Sequence, residues 1–143
     1  MLSAYLVRQF AMTESKSHEN SVSGVVGSIK LVCLAHRYPL VVGIEEVDGI
    51  RLLASEDIGA MKLNAIANRG SKKAFWDYHE LLKHFSRDEL LSSYGTKYPH
   101  ASAWTVEKSL TYFDDAEREP DPVSLTGESW EAIRRSILKA NRW

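Results

Sequence analysis

Residues 55–82 read Ser55-Glu-Asp-Ile-Gly-Ala-Met-Lys-Leu-Asn-Ala-Ile-Ala-Asn-Arg-Gly-Ser-Lys-Lys-Ala-Phe-Trp-Asp-Tyr-His-Glu-Leu-Leu82. The spacing of their apolar residues predicts two helices joined by a tight basic turn. Ser55 is expected to cap the first helix, and Glu56 and Asp57 follow in its first turn, where the helix dipole favours negative charge. Gly70 is expected to end this helix and Ser71 to cap the next one. The stretch therefore predicts a roughly antiparallel helix pair with a charged joint.

The first of these helices has an apolar face that includes a lysine. Four residues at helical spacing form this face: Ile58, Met61, Ala65 and Ile66. Lys62 lies four residues after Ile58, on the same face. A cation among core residues is costly unless it reaches a cavity or an anion. Lys62 is therefore either a ligand-binding residue or a lysine whose ammonium group extends to water.

Basic residues cluster where the two helices join. Arg69, Lys72 and Lys73 lie next to the N-terminus of the second helix, which is a favourable position for a phosphate. The alternative is a basic turn that water solvates. The second helix has its own apolar face, formed by Ala74, Phe75, Tyr78, Leu81, Leu82 and Phe85. Asp77 lies at the edge of that face.

The other elements are predicted from apolar spacing and turn residues. Residues 2–10 are predicted as a helix, residues 13–20 as a polar loop, and residues 21–26 and 29–35 as two strands joined by Gly27-Ser28. The second strand is apolar almost throughout, which predicts a central place in the sheet. Residues 49–53 are predicted as a short strand. Further helices are predicted at residues 87–94, with a capping box of Ser86 and Glu89, and at residues 103–115 and 129–141, with a linker at residues 97–102.

Composition predicts a single globular domain over residues 1–143, with a helix remnant and β-sheet in residues 1–53 and a helical part in residues 54–143. The net charge of -1 gives no overall attraction to nucleic acid, so any such contact needs a local basic patch. Cys33 is the chain's one cysteine, which excludes an internal disulfide and fits a reducing cytoplasm. No apolar stretch approaches the ~20 residues that span a bilayer, so we expect a cytoplasmic protein without membrane contact.

Residues 54–73 resemble the third and fourth motifs of the AbiEii/AbiGii toxin family. The likeness continues in Leu82-Lys-His-Phe-Ser and in Lys108-Ser-Leu-Thr-Tyr-Phe-Asp-Asp-Ala-Glu, and it extends from about residue 20 to the C-terminus. These nucleotidyltransferase-like proteins belong to bacterial abortive-infection and toxin–antitoxin systems. The resemblance implies an α+β, partial nucleotidyltransferase-like (polymerase-β-like) fold, with a small β-sheet at the N-terminal side packed by a C-terminal helical bundle.

The resemblance also assigns a site. Lys62 matches an active-site lysine of the family, Asp77 matches a family carboxylate, and Arg69, Lys72 and Lys73 match residues that handle the nucleotide. Ala74 stands where the family carries another aspartate, and the family's Gly-Gly/Ser and Asp-x-Asp motifs have no counterpart here. No metal ligand is therefore assigned. The resemblance implies a protein that is inactive as an isolated chain and retains nucleoside triphosphate or RNA binding.

Two alternatives remain open at the level of sequence. One is an active transferase completed by another chain, which would use Mg²⁺ and a nucleoside triphosphate; otherwise no cofactor is assigned. The other is a protein-interaction module of a toxin–antitoxin system. The partners considered are a second copy of the chain, joined through an unpaired sheet edge, a cognate antitoxin, and tRNA or another RNA.

Two further candidates lie outside the helix pair: a Gly-Ser pair with the nearest acidic pair, and an acidic run. Glu45-Glu46 falls in a predicted loop after residues 38–43, and Gly27-Ser28 lies between two strands. Because neither has the strand–turn–helix context of a nucleotidyltransferase motif, we reject them as catalytic. The acidic run at residues 114–121 is expected to be a solvated loop, the alternative being a contact for a basic partner. His36 and Arg37 are expected on a surface loop, the alternative being contact with a phosphate.

Overall fold

The computed structural model describes residues 2–142 of an α+β protein with small antiparallel sheets and several helices. The chain divides into two compact units, residues 1–37 and residues 38–143. The predicted division after residue 53 therefore differs from the observed one, because the strands of residues 44–53 group with the helices. The single domain stays a prediction.

The first unit contains a helix and a three-stranded sheet. Its elements are α1 (Leu2–Phe10), β1 (Thr13–His18), β2 (Ser21–Val26) and β3 (Ile29–Leu34). The strands are antiparallel in the order β1-β2-β3. The helix and the hairpin are confirmed. Gly27 has φ +61°, a conformation that costs glycine little, and Val26 pairs with Ile29 across the turn.

Two predictions for this sheet are wrong. Residues 13–18 form a strand rather than a loop, because their backbone pairs with β2 even though every side chain is exposed. The strand β3 lies at an edge, and β2 is central. The central strand carries Gly24, where an added Cβ would lie 2.7 Å from the Met12 side chain. The apolar run of β3 therefore does not mark a central strand, since Ile29 and Leu34 are 69% and 71% exposed.

The second unit contains a β-hairpin followed by six helices. The hairpin pairs β4 (Ile44–Val47) with β5 (Ile50–Leu53). The helices are α2 (Ser55–Asn68), α3 (Lys72–Leu81), α4 (Arg87–Lys97), α5 (Ala103–Ser109), α6 (Asp114–Glu117) and α7 (Trp130–Ala140). The strand predicted at residues 49–53 is confirmed. Glu45 and Glu46 lie on β4 and are exposed, so their predicted loop position is wrong.

Aromatic rings dominate the core of the second unit. Trp76 stacks on Trp130 with ring centroids 5.7 Å apart, and Phe75 lies 4.9 Å from Phe113. Burial of such rings stabilises a fold through area and ring geometry together. The inward residues predicted for 103–115 (Val106, Leu110 and Phe113) are buried as expected. The helix itself is interrupted, because α5 ends at Ser109 and α6 begins at Asp114.

Hydroxyl caps start most of the helices in this unit. Ser71 and Ser129 cap α3 and α7, and Ser86 forms the predicted capping box with Glu89. Ser55 is not a cap: Ala54 holds that position, and no side-chain bond caps α2. The helix is instead held by packing, consistent with tertiary contacts providing most helical stability in proteins.

The buried face of α2 differs from the predicted one. Its core residues are Gly59, Ala60, Leu63 and Ile66, whereas Ile58 and Ala65 are exposed. Apolar residues occur almost all around this helix, so spacing alone did not select the face that packs against α3 and α4. Lys62 consequently lies at the border of the core and is half-buried.

Candidate functional site

Lys62 and Asp77 form an ion pair between α2 and α3. The Lys62 Nζ atom lies 2.6 Å from Asp77 Oδ2, and both side chains are about one-third exposed. The border position of Lys62 on α2 lets its ammonium group reach a carboxylate and remain partly in water. The structure therefore joins two residues that the resemblance assigns to one site, although they lie 15 positions apart in the sequence.

A cavity of about 270 Å³ borders this ion pair. Asp77 lines it together with Lys73, Trp76 and Glu80 from the same helix, and residues 122–126 close the other side. Lys73 is exposed at this rim. The cavity lining thus carries one lysine, Lys73, and two carboxylates, Asp77 and Glu80, and Lys62 reaches the cavity only through its pair with Asp77.

Arg69 and Lys72 are held by carboxylates of the same chain. Arg69 bonds to Glu119 at 3.1 Å, and the Lys72 ammonium bonds to Asp121 at 2.9 Å. Glu119 also accepts the backbone N–H of Lys72 at 2.9 Å, at the N-terminus of α3. A carboxylate therefore occupies the position where we expected a phosphate.

These contacts correct the expectation for the acidic run. Glu119 and Asp121, at its end, pair with the chain's own basic turn rather than lying free in solvent or awaiting a basic partner. Lys72 is also buried, with its ammonium 5.2 Å from the centre of a Trp130 ring. Arg69 is mostly exposed, and an exposed pair of this kind contributes about 0–1 kcal/mol. Arg69 is therefore the more easily released of the two cations.

Ala74 lies in the apolar core, 5% exposed. This position matches the sequence expectation that its side chain points into the apolar face of α3. The site consequently has one carboxylate, Asp77, at the position of the fourth motif. Within residues 2–142, Asp77 is not part of any group of three His, Cys, Asp or Glu side chains that is close enough to hold a metal ion.

Sequence reasoning missed a fully buried ion pair. Lys97 Nζ lies 2.6 Å from Asp57 Oδ1, and neither side chain has any exposed surface. Asp57 also accepts the backbone N–H groups of Val41 and Val42, and Lys97 donates to the Pro39 carbonyl. The pair therefore fixes the segment that precedes β4 to both α2 and α4.

Hydrogen bonding keeps Asp57 ionised. Burial raises its pKa, but hydrogen bonds from Lys97 and from two backbone N–H groups outweigh burial and lower it to about 2. No spacing rule in the sequence predicts this pair. The dipole of α2 alone accounts for an acidic residue at position 57, and the predicted linker begins at Lys97, which is the last residue of α4.

A second missed cluster adjoins the cavity. His79, Glu80 and Glu128 each offer a donor atom within 4.8 Å of the others. Hydrogen bonds from Thr126, His79 and Lys83 lower the pKa of Glu128 to about 2, so this carboxylate stays charged. The available signal is a histidine within the predicted second helix, but helical spacing does not bring Glu128 to it.

Comparisons with known proteins leave the family open. No protein-family model matches the chain, and no solved structure matches it. An uncharacterized protein of Aquifex aeolicus (strain VF5) is 37% identical over 99 residues, which are 66% of this chain and 48% of the relative. The chain thus spans about half the length of the curated relative it matches. Across residues 2–142, none of the helices has the length and apolar character needed to cross a membrane.

Proposed function

We propose that this chain is a nucleotidyltransferase-like protein of the AbiEii type that binds the phosphates of a nucleoside triphosphate or of RNA. In this proposal Lys62 and Lys73 contact phosphate, and Asp77 orients Lys62. The observation that carries it is the 2.6 Å pair between Lys62 and Asp77, which borders a cavity of about 270 Å³. Cations held at the edge of a cavity are suited to neutralising phosphate charge.

We also propose that the isolated chain does not catalyse nucleotidyl transfer. The reaction needs carboxylates that hold divalent metal ions between the attacking oxygen and the triphosphate. Asp77 lies beside Lys62, and Ala74 supplies no second carboxylate. The remaining chemistry is phosphate binding by cations.

Glu119 and Asp121 compete with a ligand for the basic turn. An incoming phosphate would have to displace Glu119 from the backbone N–H of Lys72 before it could use the N-terminus of α3. Lys62 and Lys73 are not paired with the acidic run, and the carboxylate that holds Lys62, Asp77, belongs to the proposed site itself. We therefore assign phosphate contact first to these lysines, and to Arg69 and Lys72 only after the acidic segment has moved.

The second candidate function is an active nucleotidyltransferase whose site is completed by another chain. Specific support comes from β4 and β5, where Val47, Ile50 and Leu52 lie on one face of the hairpin and are 45–62% exposed. A two-stranded hairpin with exposed apolar residues on one face gains stability from a further strand or a covering element. A partner that covered this hairpin and supplied metal-binding carboxylates would make an active transferase.

A thermal melt with each nucleoside triphosphate, with and without Mg²⁺, tests the binding proposal. A ligand at a hundred times its dissociation constant should stabilise the folded protein by about 2.7 kcal/mol. We expect this shift for the wild-type chain and its loss in Lys62→Ala. Lys139→Ala is the matched control, because it removes one exposed lysine of α7 without touching the cavity. The same melt with a short single-stranded RNA tests the RNA half of the proposal, and a chain that shows no shift with any of these ligands would overturn it.

A further inference from the structure

The cluster of His79, Glu80 and Glu128 has the composition of a metal site. His79 and Glu80 are adjacent on α3, and Glu128 lies two residues before α7. One imidazole nitrogen and two carboxylates form a mixed nitrogen and oxygen donor set, which suits zinc better than magnesium or calcium. The proposed phosphate site uses none of these three residues.

The spacing of the donor atoms fits a shared ion. The His79 Nε2 atom lies 3.1 Å from Glu128 Oε1. Two ligands bound to one zinc ion at the usual bond lengths lie roughly 3.0–3.4 Å apart. Glu80 offers its carboxylate within 4.8 Å of the other donor atoms, and its side chain is 44% exposed, so it can close the remaining distance by rotation.

A cation already occupies the space between the carboxylates. The Lys83 ammonium lies 2.7 Å from Glu80 Oε1 and 3.2 Å from Glu128 Oε2. The fold thus places positive charge where a metal ion would bind. Lys83 is 40% exposed, so its ammonium can move to water when another cation takes its place.

His79 is positioned for ligation by its burial. Its side chain is 8% exposed and directs Nε2 towards Glu128. The other ring nitrogen, Nδ1, is buried and has no hydrogen-bond partner in the described part of the chain. Without a metal, Nε2 donates its proton to the Glu128 carboxylate, and because nothing bonds at Nδ1 the ring proton can move there and leave the Nε2 lone pair for a metal.

We propose that His79, Glu80 and Glu128 bind a Zn²⁺ ion, which displaces the Lys83 ammonium from between the two carboxylates. Binding to a neutral imidazole moves its proton to Nδ1, and binding to an imidazolium releases one proton to solvent. Glu80 also lines the cavity beside Asp77, so the ion lies at the border of that cavity. The site stands independently of nucleotide binding.

Calorimetric titration of the chelator-treated protein with Zn²⁺ alone tests this site. We expect one ion per chain, and at least tenfold weaker binding in Glu128→Gln and in Glu80→Gln. Glu131→Gln is the matched control, because Glu131 is an exposed carboxylate of α7 outside the cluster. Circular dichroism would establish that each variant is folded.

A further variant, at Lys83, should change the affinity for Zn²⁺ in the opposite direction. Lys83→Met removes the competing ammonium and should tighten Zn²⁺ binding about tenfold, which corresponds to 1.4 kcal/mol. If these residues formed only a structural ion-pair network, removing Lys83 would not increase the affinity of the protein for Zn²⁺. Binding that is absent, that is insensitive to both glutamate variants, or that is not tightened by Lys83→Met would overturn the proposal. None of these outcomes depends on a nucleotide.

Discussion

The charge of Asp57 is balanced in the interior by one lysine forty positions away. Lys97 lies 2.6 Å from it, and both side chains are inaccessible to solvent. Removing one partner of a buried pair leaves a charge without compensation, which typically costs 3–5 kcal/mol. We therefore expect Lys97→Met to lower the free energy of unfolding by about that amount at pH 7. Urea denaturation would measure it, with the exposed Lys139→Met as the control.

At low pH, Lys97→Met should lose less unfolding free energy relative to the wild-type protein than it does at pH 7. In the wild-type protein the pKa of Asp57 is about 2, below its ordinary 3.8, so its stabilising contribution is complete above 3.8 and is lost as pH falls towards 2. In Lys97→Met the burial that raises this pKa is no longer opposed by the lysine, and Asp57 takes up a proton more readily. The difference in unfolding free energy between the two proteins should therefore shrink between pH 7 and pH 3. A difference that stays constant would show that lost packing, rather than charge, caused the effect.

Individual residues were predictable where a local rule applied to them. Lys62 was conspicuous as a cation near an apolar stripe, and the structure gives it an anion, Asp77. Asp57 satisfied a local rule as an acidic residue in the first turn of a helix, which concealed its tertiary role. Pairs distant in sequence, such as Asp57 with Lys97, depend on how helices pack and leave no spacing signal.

The contact between α2 and α4 depends on a glycine within a helix. A Cβ atom on Gly59 would lie 2.6 Å from Leu90 Cδ2, and Leu90 is fully buried. Overpacking a core typically costs about 1–3 kcal/mol, which offsets or exceeds the roughly 1 kcal/mol that alanine gains over glycine in helix propensity. We expect Gly59→Ala to lower the melting temperature.

Gly95 provides the matched comparison on α4. A Cβ atom there would meet nothing within 4 Å, so Gly95→Ala should raise the free energy of unfolding by about 0.5–1 kcal/mol. The two substitutions are chemically identical and differ only in the space available. A stabilising effect from both would mean that Leu90 rearranges without cost, and that α2 and α4 are less tightly packed than the structure indicates.

Elements were predicted well where turns and caps marked them. Gly27 located the hairpin, and the sequence of Ser86 and Glu89 located the start of α4. The strand β1 escaped prediction because its side chains are all exposed and its pairing uses only the backbone. The buried face of α2 escaped because apolar residues surround that helix, so neighbouring helices decide which side is buried.

The first unit exposes apolar residues on the edge strand of its sheet. Ile29, Val32 and Leu34 of β3 are 50–71% exposed, and among the described residues only β2 pairs with this strand. A strand with a free backbone edge and apolar side chains is suited to pairing with another strand. The other edge strand, β1, has mainly polar and charged residues, which makes it the weaker candidate. The homodimer stays a prediction, and β3 is the contact at which we test it.

We therefore expect light scattering to give twice the mass of one chain at high protein concentration, and a decrease towards one chain on dilution. Val32→Lys should favour the monomer, because a lysine on an edge strand opposes strand addition. Ser17→Lys adds the same charge to β1 and should leave the mass unchanged. A mass of one chain at every concentration would exclude the homodimer. A dimer that persists in Val32→Lys would place the contact away from β3, and the exposed hairpin of β4 and β5 would then be the next surface to substitute.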